Sequence, residues 1–334
     1  MNWAESLSVT CYASYIDSTT WHDTERFEIT GGTITRNAND LQQSATINCV
    51  NFPQDEERWV RIYMNAHQKG ETVRVPLFTG LSSSPARDIN GKLETMAVDC
   101  YSVLKPAGDI LLDLGWYVRA GANGADAAAE LLSVTPAPIT FASNAPYLQN
   151  AIVAEENETC LSMAQKILKA INWRFRINGN GEISIEPKAS EPMASYDAID
   201  NDSIEPVLKV SHDWYGCPNV FRAIARGLSA TAKDESDSIL SIPNRGREIW
   251  AQESSCDLND GETLAEYAQR RLKEEQQVAT TVEYTRRFNP DIYERDLVYL
   301  HYPAQNIIGM YQVSSQSIRL EEAGHTSEEV VYVR

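Results

Sequence analysis

Residues 310–334 read MYQVSSQSIRLEEAGHTSEEVVYVR. Two runs, 310–315 and 330–333, flank a polar turn at Gly324, the pattern of a strand, a glycine-containing turn and a returning strand. An earlier stretch has the same layout: Leu77-Phe78-Thr79-Gly80-Leu81-Ser82-Ser83, a polar turn at Gly91, then Met96-Ala97-Val98-Asp99. Placing Phe78 on Tyr311 brings Gly91 onto Gly324 and Val98 onto Val331, with the two serine pairs within one position of register. Shared turn chemistry alone produces some likeness between hairpins. Internal duplication is the other source of such an echo.

The remaining segments can be read outward from these two hairpins. Residues 27–30 meet Gly31-Gly32 before Thr33-Ile34-Thr35; residues 45–50 alternate with period two, and 59–64 and 73–78 supply the next strands. Short strands punctuated by turn residues predict a small barrel or sandwich. After Lys105-Pro106 the character changes. Residues 125–132 are Ala-rich and favour helix, and a Pro-containing linker follows at 135–138. In ETCLSMAQKILKAI (158–171), Leu161, Ala164, Ile167, Leu168 and Ile171 form one apolar stripe, with Asn157 or Thr159 as the cap. NWRFRINGNGEISIEP (172–187) then alternates around Asn178-Gly179-Asn180-Gly181, a hairpin signal. Residues 187–206 are polar and turn-rich and mark a boundary.

Beyond it, 207–214 and 219–226 read as strands, followed by a polar loop at 233–237. DGETLAEYAQRRLKEEQ (260–276) is a helix: Thr263 and Glu266 form a capping box, Leu264, Tyr267, Ala268 and Leu272 its stripe, and Glu266 with Arg270 a favourable pair. Strands at 278–284 and 297–300 precede the final hairpin. The expected class is α+β, mainly β. One β-barrel spans residues 1–105, a small inserted α/β unit spans 106–204, and a second β-barrel spans 205–334 with one helix at about 261–276.

The chain has 334 residues, 43% hydrophobic and 23% charged, enough for two or three domains each with a core. Its net charge of -18 argues against wrapping nucleic acid, which needs a Lys/Arg surface, and against docking on anionic lipid. It suits a surface past which DNA slides without sticking, although solubility explains the charge equally well. The N-terminal stretch lacks a basic region followed by an apolar run, so no signal peptide is expected, and no run suits membrane insertion. Six scattered cysteines without a CxxC pair are expected as reduced thiols in a cytoplasmically made chain.

Few constellations suggest chemistry. His212-Asp213 and His301 would ligate a metal if the fold joined them, but strand histidines explain them as well. Gly121-Ala122-Asn123-Gly124 precedes a helix, yet lacks the GK[ST] of a nucleotide loop and reads as a turn. Arg174 and Arg176 flank aromatics as in single-strand binders, or simply occupy the outer face of a hairpin, the reading the overall acidity favours. Trp59, Trp116, Trp173, Trp214 and Trp250 are expected as core or interface anchors. No GxSxG is present, and no carboxylate pair can be singled out as a glycosidase couple. No catalytic, metal or cofactor-binding residue is assigned, no cofactor is expected, and the chain is read as a non-enzyme.

The layout resembles the baseplate hub proteins of contractile phage tails and phage-like particles, in particular the short hubs of Bacillus-type prophage tails. The helix-to-hairpin run TCLSMAQKILKAINWRFRINGNGEISIEP carries the likeness, as do DGETLAEYAQRRLKEEQ before a strand, Phe288-Asn289-Pro290 leading to Asp296-Leu297-Val298, and the terminal YQVSSQSIRLE. Where such hubs often have glycine before that aspartate, this chain has Arg295. The resemblance implies two tail-tube-like barrels in each chain. A homotrimer would then present six barrels to a sixfold tail tube, joining it to the spike and other baseplate proteins around a DNA-permissive acidic lumen. It also implies a virion tail location and no specific nucleic-acid binding. The alternatives are a tail-associated cell-wall hydrolase and a receptor- or glycan-binding tail protein.

Overall fold

In the computed structural model the described residues are all of 1–334 except 6, 38–41, 51, 53–55, 84–85, 91–92, 143, 189–190, 198–203, 213, 226, 255, 257, 259–260, 278–279, 322–323 and 334. Gly91 and Asp213 therefore lie outside the described residues. The N-terminal strands are β1 (Ser8–Ile16), β2 (Asp23–Asn37), β3 (Gln43–Cys49), β4 (Trp59–Gln68), β5 (Glu71–Ser82), β6 (Ala86–Asn90) and β7 (Leu93–Ser102). Pairing in the order β1-β4-β5-β7-β3-β2, with β2 returning to β1, closes a six-stranded ring. Alternation explains the closure: in β3, Gln43, Ala45, Ile47 and Cys49 are buried while Thr46 and Asn48 are exposed, so one face fills the interior.

An α/β unit follows: α1 (Lys105–Asp109), β8 (Tyr117–Val118), α2 (Gly124–Leu132), β9 (Ile139–Phe141), β10 (Ile152–Val153), α3 (Cys160–Ala170), β11 (Trp173–Ile177) and β12 (Ile183–Pro187). Thr159 caps α3 in a reciprocal box with Ser162, while Asn157 sits in the preceding turn at φ 64°. The stripe of α3 packs with α2, β11 and β12 in one core that includes Leu132, Ile167, Phe175 and Ile183.

The polar stretch after β12 is not only a boundary. Pro192–Asp197 forms β13, paired in parallel with a strand about a hundred residues later. Next come β14 (Ile204–His212), β15 (Val220–Ala225), β16 (Leu228–Lys233), α4 (Ile242–Arg245), β17 (Trp250–Ser254) and α5 (Leu264–Gln277). The chain ends with β18 (Thr280–Arg287), β19 (Leu297–Tyr302), β20 (Ile307–Arg319) and β21 (His325–Val333). The helix expected at 261–276 is α5, with the Thr263–Glu266 box in place. It does not lie on the C-terminal sheet's main face. It packs on a separate sheet, β16-β15-β17, through Tyr267, Ala268 and Leu272 against Phe221, Ala223 and Ala232. Period two in a sequence identifies a strand but not the sheet it joins, so β15 to β17 read as part of the second barrel.

The other C-terminal strands pair in the order β13-β19-β20-β21-β18-β14. Numbered from the first strand of each group, this is the spatial order of the N-terminal ring. Two differences stand out: β13 runs parallel to β19 where β1 runs antiparallel to β4, and no β13–β14 pairing occurs among the described residues. The echoing hairpins occupy equivalent places, β5 with β7 and β20 with β21. Phe78, Tyr311, Val98 and Val331 are all buried. Their residue register is not conserved. The echo matches Ser82 with Ser315 and Cys100 with Val333, and Ser82 faces Cys100, yet Ser315 faces Glu329. In the first hairpin β7 folds back on β6, which displaces its pairing with β5 towards its end.

The two groups form one sheet because β2 pairs with β20, Thr35 opposite Ser317. Phe288, just after β18, reaches into the first ring's core beside Ile34, Ile318 and Leu320.

Gly179, in the β11–β12 turn, lies against the first ring: a Cβ there would come 1.9 Å from the Pro76 carbonyl oxygen. Gly179→Ala is expected to cost about 1–3 kcal/mol by overpacking, whereas Gly216→Ala, with nothing within 4 Å, leaves the denaturation midpoint unchanged. Urea unfolding of both variants checks this.

Candidate functional site: a bridging hairpin and the sheet face beside it

The β11–β12 hairpin touches both strand groups. Its tip is received by the first. Arg61 donates from Nη2 to the Asn180 carbonyl at 2.9 Å, Thr79 donates to the Gly179 carbonyl at 2.8 Å, and Trp21 Nε1 donates to the Asn180 carbonyl at 2.9 Å. Gln43 Nε2 donates to the Ile177 carbonyl at 2.8 Å. Arg61 is itself fixed by Thr79 and by Asp23, which also accepts from the Tyr63 hydroxyl.

The base of the hairpin is held by the turn before β19. Arg174 Nη2 lies 2.9 Å from Asp296 Oδ1 and 2.8 Å from Glu186 Oε1, and Nη1 donates to the Arg295 carbonyl at 2.7 Å. Arg176 meets Asp296 Oδ2 at 3.2 Å and stacks 4.5 Å over the Tyr293 ring. Asp296 is 1% exposed and also accepts from the Tyr293 amide at 3.0 Å. Arg295, at the position expected to be glycine, adopts φ 65°, so the turn keeps a glycine-like backbone with an arginine in it. Its carbonyl accepts from both Arg174 and Gln312.

A chain of buried polar groups runs along the seam. Arg36 on β2 donates to the Leu77 carbonyl at 2.7 Å and to Gln316 Oε1 at 3.4 Å; Gln316 Nε2 donates to Glu328 at 2.6 Å, and Glu328 pairs with Arg286. Arg36 also stacks 4.2 Å over Tyr293. Beside them, Glu294 is buried and its Oε2 has no hydrogen-bond partner among the described residues. Burial raises its carboxyl to about 7, against the opposing pull of Arg36 and Arg295.

The opposite face of the same strands is different. Across β7-β3-β2-β20-β21-β18-β14, the positions pointing away from the core are mostly Ser and Thr at the centre, with Arg319 opposite Thr33 and Arg287 opposite His325 among them and Tyr101 and Val207 exposed towards the two ends. Asp99 faces Thr46, Thr46 faces Thr33, Thr35 faces Ser317, Ser317 faces Ser327, and Ser327 faces Thr285. Glu283, Glu329 and Lys209 add charge near β14, in a shallow concavity that also includes Thr35.

Comparison with solved structures supplies the relatives of this arrangement. The 43 kDa tail protein of prophage MuSo2 from Shewanella oneidensis matches with TM-score 0.71 at 14% identity, over 97% of this chain and 98% of its own. A tail protein of Neisseria meningitidis MC58 matches with TM-score 0.70 at 14% identity, over 98% and 97%. The fold is that of prophage tail proteins. The prophage tail protein gp18 of Listeria monocytogenes EGD-e also matches, with TM-score 0.57 at 11% identity, over 98% and 94%. No family model and no curated protein matches the chain.

Within this tail-protein fold the candidate residues fall apart rather than together. His212 is on β14 against Thr280 and Trp214, and His301 is on β19 beside Tyr299, with three strands between them in the sheet order. Among the described residues no group of three or more His, Cys, Asp or Glu is placed to hold a metal. The N-terminus of α2 is filled by Asn123, which accepts from the Ala125 and Asp126 amides, and Gly124 is required by Ile171, 2.8 Å from where its Cβ would be. Arg174 is not on an outer face: it is 5% exposed and committed to Asp296, and so is not available to nucleic acid. Trp173 is core, Trp59 stacks edge-on with Trp21, and Trp116 is half-buried; Trp214 and Trp250 are exposed. None of the six cysteines forms a disulfide, and burial pushes Cys100 up to about 12. No helix among the described residues is long and apolar enough to cross a membrane. The seam residues Arg36 and Gln316 carried no sequence signal beyond polarity at inward strand positions, and Glu294 none beyond its place in the turn before β19.

Three outcomes follow from this geometry. Asp296→Ala removes the buried carboxylate shared by Arg174 and Arg176, leaving Arg174 only Glu186 and the Arg295 carbonyl, and is expected to cost about 3 kcal/mol in urea unfolding. Arg295→Gly is tolerated within about 1 kcal/mol, while Arg295→Val, β-branched at positive φ, loses about 1–2 kcal/mol. Glu294 holds a proton in the folded state that the unfolded chain releases, so its contribution to stability is full below pH 4.5 and is lost as pH rises to about 7. Glu294→Gln should therefore stabilise the protein above pH 7 and leave it unchanged near pH 4, read as the difference between variant and wild-type melting temperatures.

Proposed function

We propose that the chain is the structural hub of a phage or phage-like contractile-tail baseplate and not an enzyme. Three copies form a ring in which each contributes two tube-like barrels, one from residues 1–105 and one from 205–334 with β13, and 106–204 contributes the insert. Six barrels meet the sixfold tail tube on one side, and the threefold spike binds on the other. The particle is built in the host cytoplasm and the hub ends in the virion tail.

The observation that carries this reading is a continuous run of seven strands, within the thirteen-stranded sheet, whose outer face is mostly polar and rich in Ser and Thr at its centre. Two strand groups with the same spatial order, joined edge to edge through β2 and β20, supply two like units in one chain. A face whose centre is Ser and Thr, with Glu283 paired to Lys209 and no cluster of cations among the described residues, suits a channel wall past which an anionic polymer moves without being held. The similar prophage tail proteins support the same placement.

Co-assembly with the tail-tube protein of a contractile tail tests the proposal. Electron microscopy is expected to show threefold caps on sixfold tubes, and tubes that remain uncapped at saturating chain would reject it. Thr35→Arg with Ser317→Arg and Ser327→Arg is expected to leave the melting temperature within a few degrees and to make the caps retain duplex DNA at low salt, which wild-type caps release.

A further inference from the structure

Two exposed faces are left over by the fold, and they are complementary. The first lies on the insert, where 110–117 runs beside 152–160: the Cys160 amide donates to the Ile110 carbonyl, the Leu112 amide to Glu158, and the Ala154 amide to Trp116. This strip exposes Leu111 (59%), Leu114 (87%), Tyr117 (62%) and Val153 (52%). Its surroundings are net acidic: residues 105–166 hold seven acids against Lys105, Arg119 and Lys166, with Asp109 paired to Lys105 and Glu155 and Glu158 to Lys166. The second is the side of β16-β15-β17 opposite α5. Phe221 and Ala223 face the helix, so Arg222 faces out, stacked 4.7 Å over the exposed Trp250. Lys233 lies on the same side, 6.0 Å from that ring and paired with Glu248 at 2.6 Å, and at its end Arg247 sits 5.6 Å from Tyr215, which is 83% exposed. Exposed apolar patches of this kind mark interaction sites, and Trp, Tyr and Arg are the residues enriched at their energetic centres.

We infer that these faces bind each other between copies, the acidic apolar strip of one chain receiving the arginine–aromatic face of the next. The partner is a second copy because the charge and side-chain chemistry missing from each face is present on the other. Contact between two different faces of identical chains is head-to-tail and closes a ring when the rotation permits. This rests on the ring-forming reading above and supplies its interface. The two α/β units adjoin within one chain, where Lys169 lies 3.3 Å from Glu253, so the two faces are carried by neighbouring units.

Sedimentation equilibrium of the full chain, from micromolar to several hundred micromolar at low salt, tests the pairing. Wild type is expected to form trimers that weaken with added salt. Leu114→Lys and Trp250→Glu, both at exposed positions, are each expected to weaken association at least tenfold while keeping the wild-type melting temperature. Tyr117→Lys and Tyr215→Glu serve as second variants if either fails to fold. An equimolar mixture of a strip variant and a face variant is expected to give dimers, because one intact strip and one intact face remain. A wild type that stays monomeric, trimers that survive both substitutions, or a mixture that stays monomeric would overturn the pairing. Wild type that caps tubes while both variants still trimerise would reject this interface and leave the hub reading standing; failure to cap tubes rejects the hub reading itself.

Discussion

The β11–β12 hairpin is the element through which the two strand groups are fixed to each other. Its tip is bound by Arg61, Thr79, Trp21 and Gln43 of the first group, and its base by Asp296 in the turn leading into β19 of the second. The first ring is closed on itself, so it has no free edge with which to grip a neighbour except where β2 extends to meet β20. A single strand pair leaves twist about the strand axis open. A hairpin held at both ends removes that freedom. Gly179 and Arg295 show the local consequences: one position admits no side chain, and the other keeps a left-handed backbone despite carrying one.

The polar seam beside the hairpin adds specificity more than stability. Buried ion pairs contribute little net free energy after desolvation, but a misplaced buried charge is expensive. A slip of one residue in β2 would carry Arg36 to the outer face and bring Thr35 or Asn37 into the core. It would break the contacts of Arg36 with Leu77 and Gln316 and leave Glu328 and Arg286 without the rest of their chain. The same alternation that buries Arg36 places Thr33 and Thr35 outward, so the correct register also creates the smooth polar face. Fold and proposed channel wall are two sides of one pattern.

Local elements were legible in the sequence. The Thr159 cap, the α3 stripe, the NGNG hairpin and the Thr263–Glu266 box each rest on residues within a few positions of one another. The terminal echo pointed to the right strands, β5 with β7 and β20 with β21, but not to the residue register, because β6 changes how the first hairpin closes. What was not legible depends on distant partners. β13 looks like a loop because Pro192 and its polar neighbours resemble a turn, and only β19 makes it a strand. β15 to β17 read as barrel strands because alternation does not say which sheet a strand joins. Arg174 read as a solvent-facing charge because its partner, Asp296, is 122 residues away.

Differential scanning calorimetry tests the central claim, that the hairpin couples the two groups into one frame, most directly. The account predicts a single cooperative transition for the wild-type chain and two resolved transitions when both ends of the hairpin are released, as in Arg61→Ala with Asp296→Ala. Two independent transitions in the wild type, or one undivided transition in the doubly released variant, would contradict it.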